Sequence, residues 1–570
     1  MYKRMCGRGG FKTHPYVGAD NYPPLHRFVV IVLLFIGLPL GALSFTDELP
    51  PEQLASALVA EMTDEEALAQ TFMLGWVGSE PSPLIMDWIS QRGLGGVKIF
   101  GWNTADTTLL AQTVGRLQSA SLKGRFGIPL FVATDQEGGV VRHIKGATSE
   151  SPGNMAIGAG GYPRDAYLAG YYIGRELRLL GVNMNFAPTV DLFTNRNSTI
   201  IGPRAFGNEP VQAGILGAAF VKGQEEAGII STAKHYPGHG DTALDSHGTL
   251  PRIPVSRETL ENRELIPYKL LAKEGIPAIM SGHLAFPNTE GGETPASLSS
   301  FFLNDILREE LGFKGLIITD DMMMVGATNS HNSLSAAAKE AMLAGNDVIM
   351  LSKTPLLDDA VWTRSLRSMQ TEPDFNARVR KAAEDILRTK LEYLKAEHAV
   401  PSIPDIAAVQ TGLPDKEGQD FFLDMATRSV TLIKADDGVF PLKPENAGRV
   451  MLAYRPYGGF ISYGEKAYPD AMKYWYAESR GVSDLLFFAR QMDTIIFCVQ
   501  EKADLTMLNA LKELALQGKR VIVFSLLSPV ELEDISWVAG AIAVYSFAPE
   551  SFNAGFSAML GRIPFQGELP

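Results

Sequence analysis

The chain has 570 residues, too many for one typical domain and enough for two or three. Hydrophobic residues make up 46% and charged residues 20%, the balance of a globular protein with material for a large core. A formal net charge of −13 at pH 7 speaks against nucleic-acid binding, which needs a basic face, and fits an enzyme acting on a neutral or cationic substrate.

At the N-terminal end Lys3, Arg4, Arg8, Lys12 and Arg27 face a single acid, Asp20, and lead into FVVIVLLFIGLPLGALSF (28–45). A basic stretch, an apolar run and the small-residue signature Ala42-Leu43-Ser44 form a secretory signal pattern, and the run is also close to the length of a membrane anchor. We therefore expect residues 1–45 to direct export, to a periplasmic or extracellular site, either by cleavage or as a membrane tether through 28–45. The only cysteines are Cys6 and Cys498, which argues against a structural disulfide and excludes a cysteine metal site. Cys498, in TIIFCV, reads as a buried small hydrophobe.

Between residues 70 and 352, short apolar runs alternate with helix-like stretches. The strand candidates are 70–76, 95–100, 129–135, 181–187, 228–234, 277–283, 315–320 and 346–351. Eight strands with crossover-length connections predict a (β/α)8 TIM-type barrel over residues 46–399, with an open doubly wound sheet as the alternative. The C-terminal ends of five candidates carry Asp135, Asn185, Lys234 with His235, His283 and Asp320, the placement a barrel uses for chemistry. A charged amphipathic helix is expected over 378–397. The three prolines of 400–420 read as a linker. Five further apolar strands, separated by helical segments, then predict a smaller C-terminal α/β domain over 421–570.

The densest cluster of ionisable groups is KHYPGHGDTALDSH (234–247), where Pro237, Gly238 and Gly240 rule out a regular helix. Asp245 and His247, two residues apart on this loop, suit a carboxylate-oriented imidazole acting as general acid and base. Asp320, directly after the apolar strand GLIIT, is the nucleophile candidate. Its neighbour Asp321 points elsewhere by strand alternation, and a helix-capping role for the pair is the competing reading. His235 and His239 have the i, i+4 spacing of zinc helices, but the helix is broken and no Glu stands between them. AIGAGG (156–161) lacks the lysine and spacing of a phosphate loop. Neither a metal nor a cofactor is expected.

These segments carry a resemblance. ATDQEGGVV (133–141), NFAPTVDL (185–192), IGPRAFG (201–207), KHYPGHGDTALDSH, IMSGHLAFP (279–287), TPASLS (294–299) and LGFKGLIITDDMMM (311–324) resemble glycoside hydrolase family 3, in its bacterial β-N-acetylglucosaminidase branch. The tail is similar to the family's second domain through TRSVTLIKADDGVFPL (427–442) and GRIPFQGELP.

The resemblance implies a retaining exo-β-N-acetylglucosaminidase acting on small carbohydrates, cell-wall fragments or chitin-type oligosaccharides. Asp320 would be the nucleophile, His247 with Asp245 the acid/base, and Asp135, Arg204, Lys234 and His235 the binders of the terminal sugar. The Asp-Ser-His element sets this branch apart from the family's β-glucosidases. The other readings are a β-glucosidase or β-xylosidase, a phosphorolytic enzyme, or a silent carbohydrate-binding relative. The sequence departs from the family where an Arg usually follows Asp135 by eight residues. Here that residue is His143, with Arg142 beside it.

Overall fold

The computed structural model describes residues 43–570 except 199, 329–332, 456, 477–480 and 533–534. Most of the expected export segment lies outside the described residues. Among those described, no helix is long and apolar enough to cross a membrane.

The eight expected barrel strands all form. They are β1 (Phe72–Gly75), β2 (Gly96–Lys98), β3 (Phe131–Thr134), β4 (Met184–Asn185), β5 (Ile230–Tyr236), β6 (Ala278–Ser281), β7 (Leu316–Thr319) and β8 (Ile349–Leu351). They pair in parallel in the order β8-β1-β2-β3-β4-β5-β6-β7, and a parallel bridge between Ile318 and Val348 closes the ring. A helix follows most strands, so the apolar runs are buried on both faces, which explains why they read as continuous rather than alternating. Met73, Phe131, Met184, Ile230, Met280, Leu316, Ile318 and Met350 fill the interior. The helix Pro373–Leu394 sends Ile386 into that cluster. Its Lys390 donates to Gln70 Oε1 at 2.9 Å and to the Gly95 carbonyl, at the N-terminal ends of the strands. That end is closed by packing, which leaves the C-terminal mouth for chemistry.

The 400–420 segment, expected as a linker, has regular structure. It holds the helix Ile406–Gly412 and the start of Lys416–Ser429, each opened by an aspartate that accepts from the first-turn amides, Asp405 and Asp415. Buried Glu176 accepts from the Ser149 and Asp415 backbone N–H groups, tying this segment to the barrel. The prolines mark helix boundaries rather than an unstructured stretch.

The C-terminal sheet comprises β9 (Thr431–Ala435), β10 (Val450–Tyr454), β11 (Met472–Trp475), β12 (Thr494–Val499), β13 (Arg520–Ser525) and β14 (Gly540–Ala543). Their order is β9-β14-β13-β12-β10-β11, parallel except for β9 against β14. Alternate residues enter two separate cores, Leu452, Ile496, Cys498 and Phe524 on one face and Met451, Ile495, Phe497 and Val523 on the other. Strand β11 was not anticipated, because MKYW on the sheet edge has no apolar run. Ala543 and Tyr545 pack on Met155, Ala156 and Ala159 of the barrel, with Phe193 and Ile433 beside them, and Arg428 pairs with Asp165 through two bonds of 2.8 Å.

Candidate active site

Asp320 leaves β7 with its N–H on the Ser281 carbonyl, and one carboxylate oxygen accepts the Asp321 N–H at 2.8 Å. It is 9% exposed, enough for a substrate to reach a carboxylate otherwise held by the barrel. Burial alone would raise its pKa. His235, His283, the Asp321 N–H and Lys234 reverse that and hold it below the usual value, so the group is an anion at neutral pH. Asp321 does different work. One of its oxygens accepts from the Met323 and Ser352 amides at 3.0 Å each, fixing the turn and joining β7 to the segment after β8. Asp321 thus holds the turn ahead of the short helix Val325–Thr328. His283 sits below, donating Nε2–H to the Asp321 carbonyl at 3.1 Å, which leaves Nδ1 to accept the Ser297 hydroxyl.

Next to Asp320 lies a chain of buried ion pairs. The register of β5 against β6 slips between Ala233 and Tyr236, an irregularity that brings both Lys234 and His235 to the mouth although strand neighbours normally face opposite ways. The Lys234–His235 peptide is cis. Lys234 pairs with Asp135 after β3, and with Glu137 at 2.6 Å. Glu137 meets Arg204 in a two-point fork of 2.7 and 2.9 Å. Arg204, on the short turn Gly202–Arg204, also approaches His235 Nε2 at 3.4 Å. His235 Nδ1 is 2.7 Å from Asp191, which accepts the His239 N–H as well. From β2, Lys98 reaches Asp135 at 2.7 Å.

Burial opposes the charge on these groups, and for all but Lys98 pairing outweighs it. Arg204 and Lys234 bring Glu137 down to about 2, and Lys234 and Lys98 hold Asp135 well below the carboxylate range. Lys98 is pulled below its usual value because burial outweighs Asp135, whereas Asp135 and Glu137 carry Lys234 above its own.

The Asp245–His247 pair lies at the rim. His247 Nδ1 is 2.6 Å from Asp245, which also accepts the His247 N–H, so the carboxylate orients the ring and leaves Nε2 outward. The His247 side chain is 70% exposed and that of Asp245 41%, against 3% for Lys234 thirteen residues earlier on the same loop. Ser246 accepts the Gly326 N–H at 3.1 Å, docking this loop on the segment that leaves β7. Gly326 suits this close approach, because a Cβ would stand 3.1 Å from both the Ser246 carbonyl and the His283 Cβ, tighter than ordinary contact.

Residues 63–385 match the glycosyl hydrolase family 3 N-terminal domain. The chain belongs to glycosyl hydrolase family 3. As a family member it is a glycoside hydrolase on a TIM-type barrel. It is 32% identical to the β-hexosaminidase A of Pseudoalteromonas piscicida, over 70% of this chain and 71% of that one. It is 27% identical to the β-N-acetylglucosaminidase/β-glucosidase of Cellulomonas fimi, over 90% and 94%. The solved family 3 β-N-acetylglucosaminidase of a Paenibacillus species superimposes with a TM-score of 0.80 at 28% identity, over 89% of this chain and 98% of that one.

The fold gathers Asp135, Arg204, Lys234 and His235 into one buried network, with Asp320 beside it. Asp245 and His247 stay on the exposed rim, and among the described residues no hydrogen bond links them to Asp320. Sequence reasoning missed Glu137, Asp191 and Lys98. Lys98 left a signal, a lysine inside the apolar run GGVKIF, where a charge needs a partner. Glu137, on the short strand Gln136–Gly138, and Asp191 lie inside the matched segments ATDQEGGVV and NFAPTVDL, but neither segment shows which residues they would partner. Arg142 does not replace the family's arginine, since it pairs with Glu150 at 2.6 Å. His143 does face Asp135, at 3.6 Å, but burial and Lys98 lower it to about 4, so it is neutral there.

Proposed function

We propose that the protein is a retaining exo-β-N-acetylglucosaminidase that removes terminal β-linked N-acetylglucosamine from cell-wall fragments or chitin-type oligosaccharides. The observation that carries this reading is the pairing of an anionic, nearly buried Asp320 with an imidazole, His247, oriented by Asp245. In the first step the free Asp320 oxygen attacks the anomeric carbon. His247 Nε2–H gives its proton to the glycosidic oxygen, and the aglycone departs as an alcohol. In the second step His247 takes a proton from water, whose oxygen displaces Asp320 and restores the β-configuration.

The buried network supports the exo reading. Lys234, Arg204 and His235 offer donors and Asp135 acceptors to hydroxyls of one terminal sugar, with nothing left to rearrange on binding. The exposed dyad has to approach the glycosidic oxygen from the rim once a sugar fills the site. The preference for N-acetylglucosaminides is supported by the Asp-Ser-His element and by the hexosaminidase relatives. Because the Cellulomonas fimi relative is named for both activities, the test compares both substrates. Export completes the proposal, and it rests on the basic-then-apolar order of residues 1–45.

The test is the initial rate on aryl β-N-acetylglucosaminide and aryl β-glucoside, with the anomer formed first followed by NMR. The reading expects preference for the N-acetyl substrate and a β-anomer. Glucoside preference would overturn the branch, and an α-anomer would overturn retention.

A further inference from the structure

We infer that Lys98 is a positioning residue for the terminal sugar, a cation supplied from β2 that holds Asp135. The inference rests on the proposed glycosidase reading. Lys98 is the last residue of β2, in a run otherwise built to be buried, and its side chain is wholly inaccessible. A buried ammonium needs acceptors for its N–H donors. Nζ lies 2.7 Å from Asp135 Oδ2 and 2.8 Å from the Ile99 carbonyl, with His143 Nδ1 3.3 Å away. The Phe100 ring, 4.3 Å from Nζ, covers the ammonium.

The second observation is how Asp135 is shared. Lys234 takes Oδ1 and Lys98 takes Oδ2, so the carboxylate cannot rotate, and its remaining lone pairs have fixed directions toward a ligand. Lys234 cannot do this alone, because it also serves Glu137, which in turn holds Arg204.

The third observation is what surrounds that oxygen. A neutral imidazole stands at position 143, Arg142 is turned to Glu150, and Lys98 reaches the oxygen of Asp135 that His143 also faces. Lys98 is therefore the cation on that oxygen, where the loop offers a neutral imidazole.

The experiment compares Lys98→Met, Lys98→Arg and the double variant Lys98→Met/His143→Arg on aryl β-N-acetylglucosaminide, with kcat and KM separated and thermal melting recorded. Removing a hydrogen bond to a charged group from the sugar's holder is expected to lower kcat/KM by about 10- to 100-fold in Lys98→Met. The loss falls mainly in KM, since nucleophile and acid are untouched. Returning a cation through His143→Arg is expected to recover most of that loss, and Lys98→Arg to lose less than Lys98→Met. If Lys98→Met does not fold, Lys98→Gln with and without His143→Arg makes the same comparison. Variants without Lys98 that match the parent in kcat/KM, or a double variant as impaired as the single one, would overturn the inference. An unmutated enzyme that turns over no N-acetylglucosaminide would overturn the functional reading first, and the inference with it.

Discussion

One continuous segment of chain, from β5 to the end of its loop, supplies both halves of the site, and the two are built in opposite ways. At its start Lys234 and His235 are buried, each locked to an acid from another strand end, and Asp320 beside them keeps its charge through His235, His283, the Asp321 N–H and Lys234. At its end Asp245 and His247 pair with each other, and among the described residues no other ionisable group is in hydrogen-bonding reach; His247 is exposed and Asp245 partly so. The difference follows from the roles proposed for them. Sugar binding and nucleophilic attack gain from groups fixed before the substrate arrives. An acid that must meet a variable leaving group, and then a water, has to remain accessible from solvent.

The sharpest way to break the buried half is Asp320→Asn. Loss of the nucleophile is expected to reduce kcat by about 10⁴-fold or more with folding intact, the order seen when a residue of a catalytic unit is removed. Breaking the rim half is expected to cost less. His247→Ala should lower kcat by about 10²- to 10⁴-fold, the usual range for general acid–base catalysis, and the loss should shrink on aryl substrates whose leaving group needs no proton. Both are read from steady-state rates against leaving-group pKa.

Glu137→Gln separates the halves by stability. It leaves Arg204 and Lys234 short of a buried counter-charge, an uncompensated-charge defect of about 3–5 kcal/mol, whereas Asp245→Asn on the rim should change stability by less than about 1 kcal/mol. Denaturant unfolding measures both. The pH dependence carries a sign. Glu137 falls from 4.5 in the unfolded chain to about 2 in the folded one, so its contribution is fully present above pH 4.5 and is lost as pH falls through about 2. Acid unfolding of the parent between those values should be steeper than that of Glu137→Gln.

The smallest effect belongs to Asp245→Asn in activity. It keeps the hydrogen bond to His247 but removes the charge that stabilises the imidazolium, and about a 10-fold loss in kcat is expected for a weakened charge-assisted bond. A loss as large as that of His247→Ala would mean that the dyad works as one unit.

The barrel was legible in the sequence because its eight strands are buried on both sides and so appear as apolar runs. Asp320, Lys234 and His235 were legible because polar groups at the ends of such runs have no structural reason to be there. What stayed hidden was partnership. Glu137 and Asp191 acquire meaning only when the slip in β5 register carries Lys234 and His235 to them across three strands. The edge strand β11 and the helix at Ile406–Gly412 were hidden for local reasons, a mixed polar pattern in one and neighbouring prolines in the other.

The account stands most directly on Asp320 forming a bond to the sugar. The measurement is intact-mass and peptide mass spectrometry of His247→Ala after brief reaction with dinitrophenyl β-N-acetylglucosaminide, which needs no acid to leave but needs a base for water to release the enzyme. The account predicts an added N-acetylglucosaminyl residue on the peptide that contains Asp320, absent when Asp320→Asn is added. Dinitrophenol release with no adduct on any peptide, or an adduct on another residue such as Asp321, would contradict it.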